Sequence, residues 1–271
     1  GLKSNIDEAV INHINEHGLS ELSEKYTKID EVPFDFSRRR LSIIVSDGQK
    51  TQMITKGAVE EILSISTMVD YQGNVSPITN AIKENIKKIA KDLNKQGLRV
   101  VAVCQKNNLE KTSEFTVADE KNMVLIGFIG FLDPPKESAK SSIEKLNKNG
   151  IRVIVLTGDN VEVTKCICDK VGIKSPKIVI GSQIDKLQDI AVKRLLKKTN
   201  IFAKLSPIQK ARIVRLLRDS GNVVGYMGDG INDSPSLINS DVGISVDTAV
   251  DIAKESADII LLEKDLHVLL D

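Results

Sequence analysis

The stretch VVGYMGDGINDSPS, residues 223–236, constrains this chain more than any other. An apolar run, Val223 to Met227, stops at Gly228 and opens into Asp229, Gly230, Asn232 and Asp233. A short apolar run before a glycine-rich turn predicts a buried parallel strand whose carboxyl end becomes a loop. Ligands of open α/β sheets collect at such ends. Gly228 and Gly230 let the backbone approach a ligand closely. Asp229 and Asp233 then face one small volume, where two carboxylates repel each other unless a cation sits between them. Oxygen ligands of this kind suit Mg2+. A solvated Gly/Asp turn would look the same in isolation, so the reading depends on companions elsewhere in the chain.

Two companions exist. Ile151 to Leu156 reads as a second strand running into Thr157-Gly158-Asp159-Asn160. Thr157 offers a hydroxyl, and the start of the following helix offers free N–H groups to an anion. Asp159 or Asn160 also fits the helix cap, which does not exclude phosphate contact by Thr157. The third element is Ser206-Pro207-Ile208-Gln209-Lys210, with Ser206 at the cap and Pro207 at the first helical position. Lys210 falls in the first turn, where the helix dipole disfavours a cation. A nearby anion removes the conflict, which makes Lys210 a candidate phosphate ligand.

The chain changes character at Asp133-Pro134-Pro135-Lys136, because two prolines forbid strand or helix and stiffen the connection. Before that point, residues 1–132 predict an α+β module with an antiparallel sheet. Helices are expected over 4–16, 20–26, 59–66 and 80–96, and the DG at 47–48 predicts a hairpin. The Pro33 region is read as a break, and 71–77 as a turn. Beyond it, residues 133–271 alternate helix and strand. Strands are expected over 151–156, 177–180, 201–203, 223–227, 242–246 and 259–262, with helices over 138–149, 161–171, 184–198 and 207–219. That alternation predicts an α/β, doubly wound parallel sheet.

Composition excludes several classes. The 38 basic and 37 acidic residues nearly cancel, so no pull toward nucleic acid or an acidic membrane is implied. Only 3% of residues are aromatic and Trp is absent, which argues against base-stacking platforms. Cys104, Cys166 and Cys168 have no metal-site spacing and read as free thiols in a reducing compartment. His13, His17 and His267 read as incidental surface residues. No apolar segment approaches the ~20 residues needed to cross a bilayer, and no signal peptide is evident. By itself the chain reads as soluble.

With TGD and GDGINDSP in one chain, the sequence resembles the cytoplasmic part of P-type cation-transporting ATPases, members of the haloacid-dehalogenase superfamily. The resemblance runs over essentially the whole chain and includes DPPK as a hinge between nucleotide-binding and phosphorylation domains. It implies ATP and Mg2+ as cofactors. It also implies a nucleotide site with Phe36 as the adenine-stacking aromatic, Lys56 and Gly57 of KGA, Arg99 of GLRVVAV, and Asp159. Thr157 and Lys210 would bind phosphate, Asp229 and Asp233 the metal, and Asn232 and Asp233 would support the site. The runs KIDEVPFDFSRRRLSIIV and GISVDTAVDIAKESADIILLEKDL look most like the magnesium-transporting class, whereas calcium pumps of the family carry lysine where Leu41 stands. The family's phosphoryl acceptor, the first Asp of DKTGT, has no counterpart in these 271 residues. The resemblance therefore implies a catalytic fragment of an integral plasma-membrane pump that binds nucleotide without forming the phosphoenzyme. It further implies a phosphorylation domain lacking its first strand, with the sheet incomplete, loosened or completed by another chain. A stand-alone nucleotide-binding or regulatory module and a soluble phosphatase of the superfamily are the competing readings. The remainder of the polypeptide, with membrane and actuator domains, is the implied partner.

Overall fold

The computed structural model describes every residue except 1–4, 19–24, 36, 110–113, 264 and 271. The chain divides into two compact units, Gly1–Asp133 and Pro134–Asp271.

In the first unit, seven strands form one sheet. They are β1 (Thr27–Asp35), β2 (Arg40–Ser46), β3 (Thr51–Gly57), β4 (Ser66–Tyr71), β5 (Asn74–Pro77), β6 (Leu98–Asn107) and β7 (Met123–Leu132), in the order β1-β2-β3-β6-β7-β4-β5. The β2–β3 hairpin closes at Asp47-Gly48, where Asp47 Oδ1 accepts hydrogen bonds from the Gln49 and Lys50 N–H groups. Alternation sends Ile44, Met53, Ala102 and Cys104 to one face. There they meet helices α2 (Val59–Ile65) and α3 (Asn80–Lys95) through Ile62, Leu63, Ile86 and Ala90. Helix α1 (Asn5–Glu16) precedes the sheet. Burial pushes the Cys104 thiol up to about 12, as an inert core cysteine requires.

Three expectations need correction here. The sheet is mixed, because β4 pairs parallel with β7 while the other pairings are antiparallel. The reason is topological: α2 carries the chain from β3 to β4 across one face, and a crossover returns a strand in the same direction. Pro33 does not break the strand; it lies within β1, an edge strand, where a missing N–H costs no ladder bond. Residues 71–77 are not a simple turn but the end of the β4–β5 hairpin, closed by Gln72 and Gly73 at φ 54° and 85°. The short helix expected over 20–26 falls largely outside the described residues.

Among the described residues, one carboxylate is buried in this unit. Glu120 is buried and accepts hydrogen bonds from Arg38 (2.9 and 2.8 Å), Arg40 (2.6 Å) and Ser42 (2.7 Å). Burial works to raise its pKa, but the Ser42 hydroxyl and the two guanidinium groups outweigh it and hold the carboxyl below its usual range.

The second unit builds two parallel sheets of three strands. One has the order β8-β10-β9, from β8 (Val155–Leu156), β9 (Ile178–Ile180) and β10 (Ile201–Ala203). The other has the order β11-β12-β13, from β11 (Gly225–Met227), β12 (Val242–Val246) and β13 (Ile259–Leu261). In the first sheet, Val155, Ile178 and Ile201 turn to a cluster with α4 (Ser138–Lys148) and α5 (Val161–Lys170). Their neighbours Leu156, Val179 and Phe202 turn to the opposite cluster, so the sheet is covered on both faces. Of the helix expected over 184–198, only α7 (Asp189–Leu196) forms, while Ile184 closes a short preceding helix, α6 (Gly181–Ile184). Helix α8 (Pro207–Arg218) joins the two sheets: Ile213 and Leu216 pack toward the first, Val214 toward the second. Helices α9 (Ser234–Asn239) and α10 (Asp251–Glu255) complete the unit. The pattern predicts one doubly wound sheet, yet no continuous sheet forms. Among the described residues, β8 pairs only with β10 and β11 only with β12.

Replacing Glu120 by Ala leaves two largely buried guanidinium groups without their carboxylate and should destabilise the first unit by about 3 kcal/mol. Because Glu120's folded pKa is depressed, its contribution is fully present above the unfolded value of about 4.3 and fades as pH falls through the folded value. Hydrogen exchange at β2 and β3 amides should show that acid-side loss, and Glu120→Gln should flatten it. An unchanged acid profile in Glu120→Gln would refute the assignment.

Candidate functional site

The loop after β11 folds back on a single carboxylate. A Cβ on Gly228 would lie 2.4 Å from the Asp233 Cβ, so only glycine permits this approach. The Gly228 N–H donates to Ile244 O (3.1 Å) and its carbonyl accepts from Ser245 Oγ (2.9 Å), fastening the loop to β12. Residues Ile231–Asp233 make one 3-10 turn, with Asn232 half-buried in it. The Gly230 N–H donates to Asp233 Oδ2 at 3.3 Å.

Two side chains meet the other carboxylate oxygen. Lys210 Nζ lies 2.9 Å from Asp233 Oδ1, and the Tyr226 hydroxyl donates to the same atom at 2.7 Å. The Lys210 and Asp233 side chains are only 12% and 13% exposed, so this pair is poorly screened by solvent. Burial, then the Asp233 charge and its hydrogen bond, push the Tyr226 phenol far above its ordinary range, so it remains a donor. Asp233 is thus an anion near the first turn of α8, of the kind that the position of Lys210 demands. The start of α8 is itself fixed by a capping box: Ser206 Oγ accepts from the Gln209 N–H, and Gln209 Oε1 accepts from the Ser206 N–H.

Thr157 is tied to the same helix through backbone. Its N–H donates to Phe202 O (3.0 Å) and its carbonyl accepts from the Leu205 N–H (3.0 Å), one residue before the Ser206 cap. The Thr157 hydroxyl accepts from the Asp159 N–H at 3.0 Å, and the Asp159 carbonyl accepts from the Lys204 N–H at 2.8 Å. The TGD loop therefore rests on the segment that launches α8. Of the two capping candidates, Asn160 takes the role, accepting from the Val163 N–H. Asp229 lies exposed at the loop tip, its carbonyl accepting from the Val250 N–H at 3.2 Å.

The first unit carries the other candidates. Lys56 lies opposite Val103 on β6, and Arg99 lies four residues before Val103. Both therefore occupy the sheet face opposite Met53, Thr55, Ala102 and Cys104. Gly57 ends β3 where a Cβ would come 2.6 Å from Arg39 O, so KGA sits tightly against the turn after β1. Arg99 makes an ion pair with Asp133 at 3.3 Å and lines a cleft of about 620 Å3 with Val10, His13, Ile14 and Phe131. Phe36 lies outside the described residues.

Tyr226 and Glu120 escape a reading by motif. A tyrosine inside an otherwise aliphatic strand is the available signal for the first, since a buried phenol needs a partner. Nothing local marks Glu120.

The model for the P-type ATPase cytoplasmic domain N matches residues 3–138. The magnesium-transporting ATPase, P-type 1, of Salmonella typhimurium LT2 is 46% identical over 270 residues, covering 99% of this chain and 30% of that protein. The protein of the same name from Escherichia coli K12 gives the same figures. Calcium-transporting ATPase 1 of Bacillus cereus is 33% identical over 245 residues, covering 89% of this chain and 28% of that protein. The chain thus spans about 30% of the length of the magnesium-transporting relatives.

Tyr226→Phe removes one hydrogen bond to a charged acceptor and should cost about 1.5 kcal/mol. Asp233→Ala leaves an ammonium and a phenol largely buried without their acceptor and should cost about 3 kcal/mol. Hydrogen exchange of the β11 and β12 amides measures both, and a larger loss in Tyr226→Phe than in Asp233→Ala would contradict the geometry.

Proposed function

The chain belongs to the P-type ATPase family, and from that we propose that it is the cytoplasmic catalytic portion of an ATP-driven cation pump, with magnesium as cargo. The observation that carries the proposal is the convergence of Lys210 and Tyr226 on Asp233, beside the TGD loop that braces the same helix. A simple nucleotide-binding or regulatory module has no need of that cluster.

The first unit is the nucleotide-binding domain in this reading. Phe36 stacks on adenine, and Lys56 and Arg99 supply cations to the polyphosphate from one sheet face, with Gly57 holding KGA in place. The second unit is the phosphorylation domain, of haloacid-dehalogenase type. The edges of β8 and β11 flank the position of its first strand, which carries the acceptor aspartate and comes from the remainder of the same polypeptide or from a chain–chain contact. An oxygen of that aspartate attacks the γ-phosphorus of ATP, the bond to the β–γ bridging oxygen breaks, and ADP leaves.

Each residue here has a part in that transfer. The Thr157 hydroxyl and the Lys210 ammonium bind oxygens of the moving phosphoryl group and neutralise charge developing on it. Asp233 orients Lys210, Tyr226 holds Asp233, and Asn232 supports the loop. The exposed carboxylate of Asp229, with Asp233 four residues on in the same loop, would supply hard oxygen donors suited to Mg2+. When bound there, Mg2+ supplies further neutralisation of the phosphoryl oxygens.

In the full-length protein, acid-trapped phosphoenzyme formed from ATP should fall about 100-fold in Asp229→Asn and in Lys210→Met. ATP binding should survive Asp229→Asn and be lost in Phe36→Ala. Normal phosphoenzyme in Asp229→Asn, or unaltered nucleotide affinity in Phe36→Ala, would overturn the respective half of the proposal.

A further inference from the structure

His13 and Glu16 lie in the last turn of α1 and His17 just beyond its end, spaced i, i+3 and i+4. The sequence pattern reads these histidines as incidental surface residues, and the structure places both at the surface with their rings together. The His13 and His17 ring centroids lie 4.1 Å apart, with the planes tilted by 35°. One ligand atom from each of His13, Glu16 and His17 lies within 4.8 Å of those of the other two. All three side chains are exposed.

One hydrogen bond fixes the chemistry. His17 Nδ1 lies 2.9 Å from the His13 carbonyl oxygen. A carbonyl can only accept, so Nδ1 carries the proton and the neutral ring keeps its lone pair on Nε2. Imidazoles that bind metals are held in just this way, with the second nitrogen donating to a backbone carbonyl. Two imidazole nitrogens and a carboxylate suit Zn2+, Co2+, Ni2+ or Cu2+, whereas Mg2+ prefers an all-oxygen octahedron.

We propose that His13, Glu16 and His17 form a surface site for a divalent transition-metal ion, typified by Zn2+, with water in the remaining position. Ligands at tetrahedral Zn2+ stand about 3.3 Å apart. The exposed side chains close that difference by rotamer change, without moving the helix backbone. The ion clips together the end of α1, whose Val10, His13 and Ile14 line the cleft that holds Arg99. The site is independent of the pump reading, since none of its ligands belongs to the nucleotide or phosphoryl clusters.

The test is a titration of Zn2+ into the whole chain in a large excess of Mg2+. Only three histidines are present, so their imidazole NMR signals report the site directly. His13 and His17 should shift on addition of one equivalent, and His267 should not. By calorimetry, His13→Ala and His17→Ala should each weaken Zn2+ binding about tenfold or more, and Glu16→Gln should weaken it less. Cys166→Ala and His267→Ala should leave it unchanged. Unmoved His13 and His17 signals, competition by Mg2+, or full affinity in both histidine variants would each overturn the proposal.

Discussion

The second unit depends on one carboxylate. Asp233 receives an ammonium from α8, a phenol from β11 and a backbone N–H from its own loop, and each donor comes from a different part of the local fold. A part-buried charge is costly unless its lone pairs are met, so the three donors and the acceptor are mutually required. The requirement sets the turn: Gly228 has no Cβ because the Asp233 side chain occupies that space. It also suits the helix, since the dipole's mild penalty on Lys210 in the first turn of α8 is offset by the anion beside it. The Asp233 charge is met by the Lys210 ammonium. That arrangement leaves Asp229, at the loop tip, as the more accessible carboxylate.

From that anchor the constraint spreads through α8. Its capping box holds Ser206, and Leu205 holds the carbonyl of Thr157. The helix then divides its apolar residues between the two parallel sheets. Leu156, at the end of β8, packs against both clusters. The two site loops are thereby coordinated through one helix even though their strands do not pair in a common ladder. Short parallel strands with few ladder bonds rely on such helices for cover.

The first unit solves a comparable problem differently. Its sheet buries apolar side chains against two helices on one face, and Glu120 stands within it, surrounded by Ser42, Arg38 and Arg40. The Ser42 hydroxyl also meets Thr55 at 2.8 Å, so the polar residues interrupting the hairpin's apolar pattern satisfy one another. The opposite face carries Lys56, and Arg99 on the same side lines the cleft with Val10, His13 and Ile14 of α1.

Much of this was legible in residues 1–271 alone. The hairpin at 40–57, the amphipathic helix at 80–95, and the loop after Met227 announce themselves because turn chemistry and side-chain periodicity are local properties. The Ser206 cap belongs to the same class, whereas the sequence left the next cap open between Asp159 and Asn160. Only the tertiary structure decided which carboxylate Lys210 meets, that Tyr226 completes the cluster, and that Glu120 is buried beneath Arg38 and Arg40. It also decided that Pro33 lies in an edge strand, that β4 runs parallel to β7, and that the second unit's strands divide into two sheets. Each of these depends on which distant segment lies alongside. Sequence encodes the demand for a partner, as a buried phenol or a cation at a helix start does, but the identity of that partner emerges only when the chain closes on itself.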